Sequence, residues 1–267
     1  VEIGAITWNL FHGRDFPPDP ALFTWRSRLW RVTERNATHV QVNRELFHQF
    51  AEVLRAARWD VALLQECPPR WSSPLAAACT AVPHRSLTSR NSFGSARSFL
   101  ARWNTDLLGS SEGGSNLSLF RGVDGDGIRE QRELVLQRRP ERRTMAFARL
   151  HSGLCVANLH ASTNIRLAAA EVEHAAEMAV AWAGESPLIL GGDFNVRPTQ
   201  TPLFEELAAR FGLGRPTGPD FIDHILVRGL EIVDPPRAWP PEERELPYEG
   251  LRLRLSDHPP VEARFAG

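Results

Sequence analysis

Six places in this chain close an apolar run with an acid, an amide or an imidazole: Trp8-Asn9, Leu64-Gln65-Glu66, Asn158-Leu159-His160, Gly192-Asp193-Phe194-Asn195, Ile222-Asp223-His224 and Ser256-Asp257-His258. A polar group at the end of a buried strand is the usual position for a site on an α/β scaffold. Taken singly, each has a plainer explanation. An Asn after a strand is a turn residue, Gly-Gly-Asp fits a loop, and Asp-His is a common dipeptide. Composition narrows the chemistry further. All 31 Lys+Arg positions are arginine, which excludes a lysine Schiff base, anchored pyridoxal phosphate, a complete Walker-type phosphate loop and a Ser-Lys dyad. Tyr248 is the only tyrosine, and Cys67, Cys79 and Cys155 form an odd, widely spaced set without a C-x-x-C pair. That spacing argues against both a disulfide framework and a zinc site. Carboxylates, amides and histidines remain.

The elements that must position them follow from periodicity. An apolar run over residues 3–11 reads as a buried strand ending at Asn9, His12 and Gly13, and Pro17, Pro18 and Pro20 then break regular structure. Over residues 38–59 apolar positions recur at helical spacing (Leu46, Phe47, Phe50, Val53, Leu54, Ala57), which predicts an amphipathic helix. It leads into a second buried strand, residues 60–66, ending in Glu66. The middle of the chain changes to short alternating stretches, with strands expected over 115–121, 133–137, 144–150 and 154–158 as antiparallel hairpins. A helix follows over 166–182, with Leu167, Ala170, Val172, Ala175, Met178, Ala179 and Trp182 available for burial. A strand over 187–190 then runs into Gly191-Gly192-Asp193-Phe194-Asn195. A short helix over 203–211, a strand over 221–227, a proline-rich loop around 235–247 and a last strand pair near 253–255 and 261–265 complete the chain.

The 267 residues suffice for one large domain or two small ones, and no low-complexity linker divides them, so a single domain over 1–267 is expected. With 42% hydrophobic and 24% charged residues the chain is globular, and its net charge of −1 gives no global pull toward polyanions. Any such affinity must come from a local patch. The N-terminus lacks the basic start and apolar stretch of a signal peptide, and no apolar run is long enough to span a bilayer. A reducing, cytoplasmic location is the expectation; because Val1 is not a methionine, an alternative start codon or a trimmed terminus stays open. No obligate protein partner is evident.

In this order and spacing, the six motifs together resemble the endonuclease/exonuclease/phosphatase superfamily, the deoxyribonuclease I-like fold shared with neutral sphingomyelinases and inositol polyphosphate 5-phosphatases. Leu190-Gly191-Gly192-Asp193-Phe194-Asn195 and Leu255-Ser256-Asp257-His258 are the most specific pieces, and the resemblance runs from Ile6 to Ala263. It implies a four-layer α-β-β-α sandwich with two packed mixed β-sheets and a divalent-metal-dependent phosphodiesterase using Mg²⁺, or Mn²⁺. It further implies Glu66 as the principal metal ligand, with Asn9 and Asp257 on the metal side. Asp193 would orient or deprotonate the attacking water, Asn195 would hold that water or a phosphoryl oxygen, and His258, fixed by Asp223, would contact the phosphate. His160 is implied as a second phosphate contact, with Asn158 beside it on the substrate. A hard cation suits carboxylate and neutral oxygen ligands, which makes chemical sense of these residue types. In the abasic-site endonuclease branch a tyrosine stands near the position of Asn158-Leu159-His160; here the only tyrosine is Tyr248, so the chain more closely resembles the deoxyribonuclease I and sphingomyelinase side.

Substrate choice in such folds sits in surface loops. Residues 14–37 form an Arg/Trp-rich insert after the first strand, where it would overhang the site. Arg26, Arg28 and Arg31 interleaved with Trp25, Leu29 and Trp30 either bind a nucleic acid strand or pack the insert onto the body. The first reading makes the enzyme a nuclease on DNA or RNA; the alternative substrates are phosphorylated inositols and sphingomyelin-type lipids. A non-catalytic binding module would lose Glu66, Asp193, Asn195 or His258, and all four are present. Arg138, Arg139, Arg142 and Arg143 read as a solvated hairpin tip around Pro140, Asp124-Gly125-Asp126-Gly127 as a tight turn, and His224 as structural because strand alternation turns it away from Asp223.

Overall fold

The computed structural model describes residues 1–88, 99–100, 103, 114–122, 127–139 and 141–267. The expected turns at Gly113 and at residues 124–126, and Pro140, lie outside them. In chain order the strands are β1 (Glu2–Asn9), β2 (Glu34–Arg35), β3 (Val40–Gln41), β4 (Val61–Gln65), β5 (Ala81–Thr88), β6 (Gly114–Arg121), β7 (Ile128–Gln137) and β8 (Arg143–Leu150). They continue with β9 (Cys155–His160), β10 (Leu188–Asp193), β11 (Asp223–Arg228), β12 (Glu231–Ala238), β13 (Glu245–Tyr248), β14 (Leu251–Arg254) and β15 (Val261–Ala266). A six-stranded sheet has the order β12-β15-β1-β4-β6-β5 and a five-stranded sheet the order β11-β10-β9-β8-β7. Both are mixed, with β1 parallel to β4, β9 parallel to β10, and the remaining pairs antiparallel.

The unbroken apolar runs become the central strands because both of their faces are covered. Alternate side chains sort by face. Ala5, Leu63, Phe120, Val156, Ile189 and Val261 fill the space between the two sheets. On the outer face of the six-stranded sheet, Trp8 and Leu64 meet Phe50 and Leu54 of the helix Phe47–Ala56, together with Trp71. On the outer face of the other sheet, Phe147, Leu190 and Phe194 meet the helices Ile165–Ala183 and Leu203–Phe211. The layers are therefore α-β-β-α. The long helix is capped by Asn164, whose Oδ1 accepts from the amides of Arg166 and Leu167. It rides close to its sheet on Ala168, Val172, Ala175, Ala176, Ala179 and Ala183, whereas Leu167 and Ala170, expected inward, are exposed.

Four sequence expectations are corrected. The helix over 38–59 is only Phe47–Ala56; before it, Asn36 Oδ1 accepts from the amides of Thr38 and His39, and Asp15 Oδ2 takes the Val42 amide at 2.7 Å, holding this stretch extended as β3. The middle strands do not form one set of hairpins, since β6 joins β4 and β5 in the first sheet while β7, β8 and β9 build the second. The last two strands do not pair with each other: β14 pairs with β13, and β15 lies between β1 and β12. Much of the proline-rich loop is strand. β12 is a sheet edge whose register shifts between Ile232 and Arg237, and an edge with a bulge accommodates Pro235 and Pro236.

Candidate active site

The registers carry the polar strand ends to one rim. Parallel pairing aligns Asn9 with Gln65 in the first sheet, and in the second it aligns His160 with Asp193, which faces Asp223 across an antiparallel pair. Close backbone approach explains the glycines before Asp193. A Cβ at Gly192, where φ is +142°, would lie 1.9 Å from the Leu159 carbonyl oxygen, so this position takes no side chain. Strain gathers at the same rim. Of the eight non-glycine residues with positive φ among the described residues, five are here: Phe11, His12, Glu66, Asn195 and Ser256. Such conformations persist where surrounding contacts over-determine them, and they cluster at functional sites.

Those contacts are short and specific. Asn9 Nδ2 donates to Asp193 Oδ2 (2.9 Å), and the Asn195 amide donates to Asp193 Oδ1 (3.0 Å). His160 Nε2 lies 3.4 Å from Asp193 Oδ2 and 4.0 Å from Glu66 Oε1, while His12 Nε2 lies 3.0 Å from Glu66 Oε2. His258 Nδ1 meets Asp223 Oδ2 at 2.7 Å, which turns Nε2 toward Asp193 (3.9 Å) and Asp257 (4.0 Å), too far for a direct hydrogen bond to either. The loop carrying His258 is tied down from three sides. Ser256 Oγ donates to the Asn9 carbonyl (2.6 Å), Trp8 Nε1 to the His258 carbonyl (2.9 Å), and buried Arg244 to the carbonyls of Leu255 (2.9 Å) and His258 (3.1 Å).

Electrostatics divides these groups by role. Burial opposes the charge on His258, but the Asp223 carboxylate against Nδ1 outweighs it and pushes the imidazole up to about 11, so it is an imidazolium at neutral pH. His160 goes the other way. Burial and the Arg143 guanidinium push it down to about 3, and because Arg143 Nη1 can only donate to Nδ1 (3.1 Å), the neutral ring carries its proton on Nε2, facing Asp193 and Glu66. Burial, and next to it the charge of Asp223, raise the Asp193 carboxyl above the usual carboxylate range, toward the basicity a general base needs. Glu66 is held far below that range: burial opposes ionisation, but His12 against its carboxylate, and then the charge of His258, outweigh it. Asp257 is raised by burial.

Two groups of donors are in place. Asp193, Asp223 and His258 bring ligand atoms within 4.8 Å of one another, and Asp223 Oδ1 is buried without a hydrogen-bond partner. The Asp223 carboxylate against His258 favours the charged ring, which suits this group to proton transfer. Glu66, Asp257 and the Asn9 amide oxygen, which accepts one bond from the Phe11 amide (3.0 Å), offer oxygen donors at the same rim, the donor type that Mg²⁺ takes.

Residues 6–258 match the model of the Endonuclease/Exonuclease/phosphatase family. The chain belongs to that family. It is a hydrolase of this superfamily, and its solved structural neighbours share the deoxyribonuclease I-like fold. An endonuclease/exonuclease/phosphatase family protein from Bacteroides thetaiotaomicron is 15% identical at TM-score 0.62, over 99% of this chain and 97% of the other. A mannosyl-6-phosphatase from Bacteroides thetaiotaomicron VPI-5482 is 14% identical at TM-score 0.63, over 99% and 100%. TDP2 from Caenorhabditis elegans is 13% identical at TM-score 0.60, over 100% and 75%. At these identities the likeness is one of fold. No curated protein sequence matches the chain.

Within this family member, Asn9, Glu66, His160, Asp193, Asn195, Asp223, Asp257 and His258 come together at the rim. Asn158 does not face outward: it is fully buried, accepting from Gln65 Nε2 (2.8 Å) and donating to the Leu64 carbonyl (3.3 Å), and so links the two sheets. Of the insert arginines, Arg28 borders a cavity against Phe11, Arg26 is exposed, and the Arg31 guanidinium lies 5.9 Å from the Trp103 ring centre. His224 is buried and structural, as alternation implied. Sequence reasoning missed two residues that touch the site, His12 and Arg143. Arg143 is no part of a solvated hairpin tip; its inward-facing position at the start of β8 carries it to His160. The one signal for His12 was its place three residues after Asn9.

A cavity of about 780 Å³ runs along β12 past Pro235 and Trp239, and none of the rim residues lines it. No helix among the described residues is long and apolar enough to cross a membrane.

Proposed function

We propose that this protein hydrolyses phosphodiester bonds of DNA or RNA by in-line attack of water, with Mg²⁺ or Mn²⁺ as cofactor. The observation that carries the hydrolytic reading is the pairing of a buried, proton-accepting Asp193 with the His258 imidazolium that Asp223 holds 3.9 Å from it. Glu66, Asn9 and Asp257 would hold the cation, which when bound polarises a phosphoryl oxygen and offsets its developing charge. Asp193 takes the proton of the attacking water as the new P–O bond forms and the ester P–O bond breaks, and the leaving oxygen takes a proton from solvent to depart as the alcohol. Asn195, whose Nδ2 is anchored on the Ala161 carbonyl (3.0 Å), has a second amide hydrogen and Oδ1 with which to orient that water. His258 Nε2–H donates to a phosphoryl oxygen, and His160 Nε2–H supports the Asp193 carboxylate (3.4 Å). These donors are fixed before the charge develops, which is where electrostatic catalysis gains most. No covalent enzyme intermediate is needed.

The nucleic acid reading rests on the insert. Trp25 (65% exposed) and Trp30 (71%) lie open on the short helix Trp25–Trp30 beside exposed Arg26 and Arg28, rather than packed on the body. Solvent-facing rings with guanidinium groups suit stacked bases and their phosphates. A second reading, a phospholipid headgroup, is favoured by one observation, the exposed Leu29 (54%) between the two tryptophans. The test is a panel in Mg²⁺ of single-stranded DNA, RNA, supercoiled plasmid, sphingomyelin vesicles and an inositol polyphosphate. Cleavage of a nucleic acid is the expected result; cleavage of only the lipid or inositol substrates overturns the substrate assignment.

A further inference from the structure

Two left-handed residues meet at the rim, and one of them has no part in the hydrolysis described above. Glu66 directly follows β4 with φ +49°, and His12, three residues past the end of β1, has φ +55°. Neither is a glycine, so each conformation needs contacts that hold it in place. Around His12 the chain makes a tight turn, in which the Gly13 amide donates to the Leu10 carbonyl (2.8 Å) and the Arg14 amide to the Phe11 carbonyl (3.2 Å). Gly13 (φ +78°) packs so closely on Trp71 that a Cβ there would lie 2.3 Å from Trp71 Cη2. After Glu66 the chain is clamped to β6. The Cys67 amide donates to the Ser115 carbonyl (3.1 Å), and Ser115 returns its amide (3.0 Å) and its hydroxyl (2.8 Å) to the Cys67 carbonyl.

With both backbones held, the two turns bring His12 Nε2 to 3.0 Å from Glu66 Oε2. That contact divides the carboxylate. A carboxylate accepts and cannot donate, so Nε2 carries the proton and donates it to Oε2. Oε1 is left open: His160 Nε2 stands 4.0 Å from it, beyond hydrogen-bond reach. One free oxygen suits one class of cation. Mg²⁺ keeps a small octahedral shell with several of its own waters, whereas Ca²⁺ fills a larger shell, in part by taking both oxygens of a carboxylate.

We propose that His12 is a positioning residue for the cation: by holding Glu66 Oε2 it presents Oε1 alone, and so selects Mg²⁺ or Mn²⁺ over Ca²⁺. The inference rests on the reading of Glu66 as a cation ligand and deepens it. It does not depend on which phosphoester is the substrate. Partners that orient a ligating carboxylate act on affinity as well as on selectivity.

The test is cation binding without substrate. Mn²⁺ bound to the protein is followed by electron paramagnetic resonance, and its displacement by Mg²⁺ and by Ca²⁺ gives the two affinities for the wild type, His12→Leu and His12→Gln. His12→Leu removes the donor, and His12→Gln keeps an N–H directed at Oε2. The wild type is expected to bind Mg²⁺ more tightly than Ca²⁺. His12→Leu should weaken Mg²⁺ binding about 10-fold and lower the Mg²⁺-to-Ca²⁺ affinity ratio several-fold, while His12→Gln stays within about threefold of the wild type in both. Urea midpoints check folding; His12→Asn, which tolerates the left-handed backbone but falls short of Oε2, carries the test if His12→Leu does not fold. A wild type that prefers Ca²⁺, a ratio unchanged without the donor, or one lowered as far in His12→Gln overturns the proposal. Glu66→Gln separates the two claims. Mn²⁺ binding that is absent from the wild type, or that Glu66→Gln leaves intact, removes Glu66 as a ligand and the role of His12 with it. Binding lost in Glu66→Gln, with a ratio that ignores His12, removes the role of His12 alone.

Discussion

His224 gives a quantitative test of how the site is held from behind. It shares β11 with Asp223 but points to the opposite face, where Nε2 meets the Val196 carbonyl (3.1 Å) and Nδ1 accepts from the Thr217 amide (3.1 Å). Since Nδ1 must accept, the ring is neutral, and burial pushes it down to about 4, against the smaller pull of the Val196 carbonyl and Asp223. The sign follows from proton counting. Between about 4 and 6.5 the unfolded chain binds a proton that the folded chain refuses, so the contribution of this histidine to stability is complete above 6.5 and is lost as pH falls. The full gap corresponds to about 3 kcal/mol, of which about 2 kcal/mol is lost between pH 8 and pH 5. His224→Gln keeps a donor and an acceptor but does not titrate. In urea unfolding followed by tryptophan fluorescence, the stability advantage of the wild type over His224→Gln should shrink by about 2 kcal/mol from pH 8 to pH 5. An advantage that stays constant with pH would refute the neutral, buried assignment.

Three further substitutions probe the site. Gly192→Ala forces a Cβ onto the Leu159 carbonyl and should destabilise the fold by roughly 3 kcal/mol or more, a fall of about 6 °C or more in Tm; a Tm within about 2 °C of wild type contradicts the close approach. Arg143→Met removes the donor that fixes the His160 tautomer, and kcat should fall roughly 10-fold while ¹⁵N spectra show a proton appearing on Nδ1; an unchanged tautomer dissociates Arg143 from the site. Trp25→Ala with Trp30→Ala should alter stability by less than about 0.5 kcal/mol, because both rings are exposed, yet weaken single-strand binding about 10-fold or more. Undiminished binding would remove the insert from the substrate path.

What could be read from residues alone depended on whether the determinant was local. The strand ends carrying Asn9, Glu66, His160, Asp193, Asp223 and His258 were legible because an apolar run stopped by a polar residue is a local pattern, and the helix Leu203–Phe211 was legible from its spacing. Determinants made by distant partners were not. Val40 and Gln41 leave the helical pattern because Asn36 and Asp15 capture backbone amides next to them, and β15 leaves β14 for β1 and β12 across most of the chain. Arg143 looked like one more charge in an arginine run. Only the pairing of β8 with β9 brings it within 3.1 Å of His160. The openness of Trp25 and Trp30, which spacing left undecided against packing, likewise depends on what the body presents to them.

The most direct measurement is the hydrolysis rate of a single-stranded oligonucleotide by the purified protein in Mg²⁺, repeated after EDTA and with Asp193→Ala. EDTA should abolish turnover and Mg²⁺ should restore it, while Asp193→Ala, folded and in Mg²⁺, should lose about 10²-fold or more, as expected for a general base. Turnover that survives EDTA, or that Asp193→Ala retains, would contradict metal-assisted attack by an Asp193-activated water.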